Sequence, residues 1–484
     1  MTAFARTSLS AVTGLLLATA PAAAIGDDGW FASDWGTYAS GRTLLNFGEL
    51  EPQGADANAM TVLADGSFVI AGSRTAGSSF FHMAAARVDA NGVHDSGYGS
   101  GGVASFDPPG SYLSVANAIV HQSDGKTLLI GTANYGTLGN GNGDFSVCRL
   151  TVGGTLDSGY GVDGCSRQGF DIGTPNDYDE ALAAALDGDG RLVVAGSVMN
   201  DPGNVERSKF GVLRLDAHGT LDTSFGNNGH ALVLRFDEIA GAPTTERVNA
   251  LAIAADGRIA IGGISRRTDV AEAHFAVAQL DADGMPDAGF GDGGVVQELP
   301  FPVSFLDARA LAFQHSGDLI VAGNTQYGAD SVHMAAIRLR ADGDVDTTFG
   351  SSGFRLVRFF LSGPNRDSCN AIAIQPDGRI LLAGTVTDIY EMPARQKLAV
   401  TRLHADGAFD TTFGNVDSGF LGDFYLENTA SNDGHALAAI ALQGSRIVAA
   451  GNASRNGDAD GHDRFIAIAL TNDRIFGDGF DPAE

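Results

Sequence analysis

The residues of this chain whose types and spacing suit chemistry are acidic and amide side chains set among glycines. Asn456-Gly-Asp458-Ala-Asp460-Gly461-His462-Asp463 puts oxygen donors at alternate positions and then a glycine, the front half of a calcium-binding loop. The bidentate glutamate that such a loop needs at its twelfth position is Ala467, so a full EF-hand is excluded, with Asp463 as a partial substitute. Asn140-Gly-Asn142-Gly-Asp144 is a poorer version of the same pattern. A polar hairpin loop is the favoured reading of both segments, and calcium is the one candidate cofactor. Cys148 and Cys165 are compatible with a disulfide and equally with two buried thiols, while Cys369 has no partner in either case. The chain holds no nucleophile elbow, His-Glu-x-x-His, phosphate loop or Cys-x-x-Cys, and no catalytic residue is assigned.

These residues sit in a repeating frame. A turn glycine recurs at Gly66, Gly125, Gly190, Gly257, Gly317 and Gly378, and six residues after each comes another, at Gly72, Gly131, Gly196, Gly263, Gly323 and Gly384. A second fixed interval of 16 residues separates Met83 from Gly99, Phe145 from Gly161, Phe210 from Gly226, Phe275 from Gly291, Met334 from Gly350 and Leu398 from Gly414. A seventh copy keeps Gly451 and shifts its turn to Gly444-Ser445. Each copy reads as four strands. Strand a (Asn249 to Ala255) and strand b (Arg258 to Gly262) flank an Asp-Gly hairpin turn, strand c (Phe275 to Leu280) leads to an Asp-x-x-Phe-Gly corner, and strand d follows, as in Ala231 to Phe236. Strands a and b are apolar on both faces, as strands buried between neighbouring sheets must be.

The expected fold is all-β: a seven-bladed β-propeller of four-stranded antiparallel blades, its ring closed by an N-terminal outer strand. The chain ends near strand c of the last copy, and an isolated strand-d match, Thr43 to Phe47, precedes the first, after Trp35-Gly36 at the place of the Phe-Gly corner. The boundaries read as a signal peptide over 1–24, a lead-in over 25–41, the propeller over 42–475 and a tail over 476–484. The leader rests on Arg6, the apolar run Leu9 to Ala20 and the Ala-x-Ala site at 22–24, which together predict a secreted or periplasmic protein. A formal charge of −28 and only three lysines exclude nucleic acid and anionic lipid as natural partners, and no membrane span is read after the leader.

Asn-Ala-Leu-Ala-x-x-x-Asp-Gly-Arg-Ile, Phe-Ala-x-x-Arg-Leu-x-x-Asp-Gly and Leu-Asp-x-x-Phe-Gly resemble the bacterial delta-60 repeat, a family similar to the NHL and gluconolactonase-like propellers. The resemblance runs from about Thr43 to Leu470 and implies a propeller in an exported or surface protein, with no settled activity. Gluconolactonase-like enzymes place metal-binding carboxylates and amides in the central channel, which sets the alternative reading below.

What recurs in every copy is assigned to scaffold. Asp95, Asp157, Asp222, Asp287, Asp346 and Asp410 read as Asx-type turn caps, the aromatic after each as a plug between blades, and the strand-c arginines as structural pairs. His82, His274 and His333 share a position read as a solvated rim. The first residue of strand a is taken as Asn58, Asn117, Glu180, Asn249, Arg309, Asn370 and His435; the asparagines read as turn caps, while Glu180, Arg309 and His435 break the pattern and are the binding candidates at the channel mouth. From the second glycine to strand c the interval runs 11, 14, 14, 12, 11, 14 and 14 residues, so variation falls on b–c and d–a connections, at one end of the blades. The expected function is an exported binding or scaffold propeller, read as a monomer, that engages a protein or glycan through that face. The alternative is a metal-dependent hydrolase of the gluconolactonase-like type at the channel mouth.

Overall fold

The computed structural model describes residues 35–36, 42–45, 54–75, 80–136, 142–170, 178–199, 208–233, 236, 244–267, 273–297, 304–326, 331–359, 365–388, 395–413, 434–454 and 463–471. Its elements are β-strands in the order that the repeats predict. They run β1 (Arg42–Leu45), β2 (Ala55–Val62), β3 (Phe68–Thr75), β4 (Phe81–Val88), β5 (Val103–Phe106), β6 (Ser111–His121), β7 (Thr127–Tyr135), β8 (Asn142–Leu150) and β9 (Cys165–Gln168). There follow β10 (Glu180–Leu186), β11 (Leu192–Met199), β12 (Ser208–Leu215), β13 (His230–Val233), β14 (Thr244–Ile253), β15 (Ile259–Arg267), β16 (Ala273–Leu280), β17 (Val295–Val296) and β18 (Ser304–Phe313). The last are β19 (Leu319–Gln326), β20 (Val332–Leu339), β21 (Phe354–Val357), β22 (Asn365–Ile374), β23 (Ile380–Asp388), β24 (Arg395–Leu403), β25 (Gly434–Gln443), β26 (Arg446–Ser454) and β27 (Asp463–Thr471).

The expected seven-bladed arrangement is corrected by the strand pairing. Five sheets are four-stranded antiparallel blades: β2 to β5, β6 to β9, β10 to β13, β14 to β17, and β25-β26-β27-β1. The strands β18 to β24 instead form one seven-stranded sheet, joined where Val332 of β20 bridges Arg366 of β22 in parallel. Counting repeats presumes that each repeat closes its own sheet. Here β21 covers only Met334 to Ile337 of β20, which leaves the edge at Val332 open to the extended start of β22. Among the described residues no fourth strand follows β24.

Each inner strand carries a β-bulge opposite the second repeat glycine. In β14 the register shifts between Val248 and Ala250, and the carbonyl of Arg247 turns onto Gly263. A Cβ at Gly263 would lie 1.9 Å from that oxygen, so the glycine is required by close backbone approach. Apolar side chains from adjacent sheets interlock between the blades. Leu251, Ile259 and Ile261 pack with Phe210, Val212 and Phe225, for example, and the same layering recurs from sheet to sheet.

The first and last strands, β1 and β27, meet. β1 pairs antiparallel with β27, from Arg42 opposite Ile468 to Leu45 opposite Phe465. Trp35, fully buried, stacks on Phe68 at 5.8 Å and donates from Nε1 to Ala90 O at 3.1 Å. Gly36 N donates to Asn91 O at 2.7 Å, and Thr43 Oγ1 to Gly92 O. Trp35-Gly36 thus occupies the corner that Tyr-Gly or Phe-Gly fills in the other repeats. At the same end of the blades the a–b turns are locked by repeated backbone bonds, such as Ala254 N to Arg258 O at 2.8 Å and Gly257 N to Ala254 O at 2.9 Å.

Candidate functional site

The recurrent acidic array is structural. At each corner one aspartate oxygen caps the amide two residues on, as from Gly97 N to Asp95 at 2.9 Å and Thr412 N to Asp410 at 3.0 Å. The other oxygen takes the strand-c arginine, as in Arg149–Asp157 at 2.9 Å and Arg214–Asp222 at 2.8 Å, or Gln279 in the fourth repeat. The same arginine reaches the next sheet, Arg149 to Ala217 O at 2.7 Å and Arg214 to Ala282 O at 2.8 Å, and lies over its own corner ring, Tyr160 or Phe225. These guanidinium groups and carboxylates are engaged across sheets and are not assigned to a ligand.

The inner strands hold a second set of clips, and here the register corrects the sequence alignment. The bulge positions are Asn58, Asn117, Leu182, Asn249, Arg309, Asn370 and Ala438; Glu180 and His435 stand before the bulges of β10 and β25 rather than on them. The asparagines do not cap the preceding turns. Each donates from Nδ2 to a carbonyl of the next inner strand: Asn58 to Ala116 at 2.9 Å, Asn117 to Ala181 at 2.8 Å, Asn249 to Ala308 at 3.0 Å and Asn370 to Leu437 at 2.9 Å. Where the bulge residue is not asparagine, a strand-b side chain makes the crossing. Ser197 accepts from Val248 N at 3.1 Å, Asn324 from Cys369 N at 2.9 Å and Asn452 from Ala57 N at 2.6 Å. Amide donors and amide or hydroxyl acceptors therefore alternate as two solutions to one joint.

The b–c and d–a ends concentrate polar groups that sequence reasoning took as a rim. His333 is buried, at 1% exposure, which corrects the expectation of a solvated position, and Lys209 is buried as well, at 2%. His333 Nδ1 lies 3.0 Å from Asp367 of β22, Lys209 Nζ lies 3.0 Å from Glu246 of β14, and the half-buried His82 lies 2.6 Å from Asp107. Asp144, also buried, pairs with Arg167. Burial pushes the Asp367 carboxyl above its ordinary range against the opposing effect of His333. The signal that was missed is charge complementarity: a cation or histidine just before strand c recurs with an acid at or just before the following inner strand.

These features converge at the boundary of β18 and β20 with β22. Arg309 Nε donates to Asp307 Oδ2 at 2.6 Å, and Asp307 Oδ1 accepts from Asn324 N at 3.2 Å. Ser368 Oγ donates to Asn370 Oδ1 at 2.8 Å on the facing strand. Cys369, between them, is fully buried, and desolvation pushes its thiol up to about 12, so it is a protonated packing group and not a thiolate nucleophile. Among the described residues no cluster of three or more His, Cys, Asp or Glu could hold a metal ion.

Of the sequence candidates, Glu180 opens β10, two residues from the bulge, Arg309 stands at the junction just described, and His435 is placed by its backbone in β25. The structure does not bring these three together in one described contact. Asn456, Asp458 and Asp460 lie outside the described residues, and Asp463 opens β27. Cys148 and Cys165 are directly opposite on β8 and β9 and joined as a disulfide, with Cα atoms 4.1 Å apart. No helix of the described residues is long and apolar enough to cross a membrane.

Solved structures of similar outline include a protein of unknown function from Dyadobacter fermentans DSM 18053, 12% identical over 89% of this chain and 98% of that one, with a TM-score of 0.42. The polysaccharide lyase Uly1 is 12% identical over 92% of this chain and 97% of its own, with a TM-score of 0.45. A PL25 ulvan lyase is 11% identical over 91% and 95%, with a TM-score of 0.46. No curated protein matches the chain. Residues 122–160, 188–225, 254–290, 314–349 and 375–413 match the family described as a domain of unknown function (DUF5122) beta-propeller, so the chain carries the repeats of a propeller-type family.

Proposed function

We propose that this protein is an exported binding module of delta-60 type, in which a rigid propeller frame presents its b–c and d–a connections to a glycan or protein partner. The observation that carries this reading is where length varies. The a–b connections keep one length through six repeats, from 63–67 to 375–379. The b–c connections range from 76–80 to 200–207 and 455–462, and the d–a connections from 107–110 to 169–179. Antiparallel strands put both variable sets at the same end of the blades, and variable loops on a fixed scaffold are where recognition resides. The engaged corner charges and the protonated Cys369 supply no catalytic group that would compete with this reading.

The test is a thermal-shift and calorimetric screen of the mature chain against oligosaccharides, calcium and a chelator. The expected result is stabilisation by a sugar class, with that shift lost when 200–207 is replaced by the shorter 76–80 sequence and the unliganded melting temperature kept. Turnover of a ligand that depends on a divalent ion, or binding indifferent to the loop exchange, would overturn the proposal.

A further inference from the structure

Arg309 occupies the one bulge position where a polar side chain is released from joining the sheets. At Asn58, Asn117, Asn249 and Asn370 the side chain is committed to the next inner strand. At Leu182 and Ala438 it is apolar. At Arg309 the joint to β22 is already made by Asn324, which takes Cys369 N at 2.9 Å. The guanidinium is then fixed from one side, Nε to Asp307 Oδ2 at 2.6 Å, and Asp307 is itself held by Asn324 N. No bond from either terminal nitrogen of Arg309 occurs among the described residues, and the side chain is 19% exposed. A cation clamped through Nε presents its two Nη groups as a planar fork, the geometry that receives a carboxylate with two parallel bonds.

The facing strand supplies the other half. Ser368 Oγ donates its O–H to Asn370 Oδ1 in a hydrogen bond and so meets an incoming group with lone pairs only, as an acceptor for a hydroxyl. A guanidinium fork on β18 and a hydroxyl acceptor on the adjoining inner strand β22 together match a carboxylate carried on a polyhydroxylated ring. The formal charge of −28 repels chains with dense negative charge, such as an acidic peptide, more than a glycan whose uronic acids are spaced by neutral sugars. We propose that Arg309 and Ser368, at the junction of β18 and β22, bind the carboxylate and an adjacent hydroxyl of a uronic acid residue in a glycan. The inference rests on the binding-module reading and names its ligand class.

Isothermal titration of the mature chain with glucuronate- and galacturonate-containing oligosaccharides, neutral oligosaccharides of equal length and an acidic peptide decides it. The acidic sugars should bind more tightly than the neutral ones. Arg309→Gln should weaken the acidic sugars by about 10-fold or more and leave the neutral ones unchanged, with Arg309→Lys between the two. Ser368→Ala should weaken both sugar classes. Melting curves should show the fold kept, because Asn324 holds the joint, with Arg309→Gln lowered by the loss of the Asp307 counter-ion and Arg309→Lys closer to the parent. The proposal is overturned if acidic and neutral sugars bind equally, if Arg309→Gln binds as the parent does, if only the peptide binds, or if no probe binds. Loss of binding in the 200–207 exchange with Arg309→Gln unaffected would keep the module and remove this site; the reverse would keep this site and remove the loops.

Discussion

Replacing Asp410 with asparagine removes one negative charge from a buried corner while keeping the oxygen that caps Thr412. Asp410 and Arg402 are 1% and 0% exposed and 2.8 Å apart, Arg379 Nε approaches the same oxygen at 3.2 Å, and Arg402 lies 4.6 Å from the Phe413 ring centre. In the variant an amide N–H turns toward two guanidinium groups, leaving buried positive charge without its counter-ion, which costs about 3–5 kcal/mol. The fourth repeat supplies an internal control. There Gln279 Nε2 donates to Asp287 Oδ2 at 2.8 Å, with glutamine in the place of arginine. Asp287→Asn lets the Gln279 amide rotate and present its oxygen, so its cost is about 1 kcal/mol or less. With an unfolding entropy of about 2 cal/mol/K per residue, a chain of this size unfolding as one unit loses roughly 3–6 °C in Asp410→Asn and about 1 °C in Asp287→Asn. Differential scanning calorimetry at neutral pH measures both. Equal losses would refute the claim that the arginine–aspartate charge pair, rather than the turn cap, holds the corner.

Acid should act through the same corners. Burial alone would raise the carboxyls of Asp95, Asp346 and Asp410, but arginine and the turn hydrogen bonds outweigh it and hold them below their ordinary range. Their stabilisation is whole above the unfolded value of about 3.9 and is lost as pH falls through the depressed native values, so circular dichroism should show unfolding steepening below about pH 4, less so in Asp410→Asn. Trp35→Ala should cost about 3–5 kcal/mol by emptying the closing corner, read as a lowered melting temperature. Reducing Cys148–Cys165, which spans 17 residues, should cost about 3 kcal/mol, seen by melting with and without reductant. In the folded chain Cys369 should stay unreactive to thiol reagents at neutral pH and become titratable in denaturant, in keeping with its buried, protonated thiol.

The repeat spacing was legible because each fixed interval answers a local backbone demand. Gly257 has φ of 90°, a value that a hairpin turn requires and a side chain resists, and Gly263 faces a bulge carbonyl with no room for a Cβ. The Asp corner, the aromatic plug and the pairing of Thr43 and its neighbours with the last strand follow from the same periodicity. The binding candidates were less legible. Glu180 and His435 were aligned by position from the loop, whereas the bulge is set from the glycine of strand b, which assigns Leu182 and Ala438 to that level.

The sequence by itself determined much of the local geometry: where the chain turns, which aspartates cap the corners and which strands are apolar on both faces. Those choices depend on φ, on hydrogen-bond reach within a few residues and on apolar patterning. Only the tertiary structure decided how the repeats were joined. The β20–β22 bridge that merges two repeats, the substitution of Asn324 for an inner-strand asparagine, and the burial of His333 against Asp367 each require two segments far apart in the chain to be seen together. Arg309 is placed in the same way: an arginine in the sequence says only that charge is present, and the neighbouring strand shows that Asn324 makes the joint to β22 and holds the Asp307 that pairs with the charge.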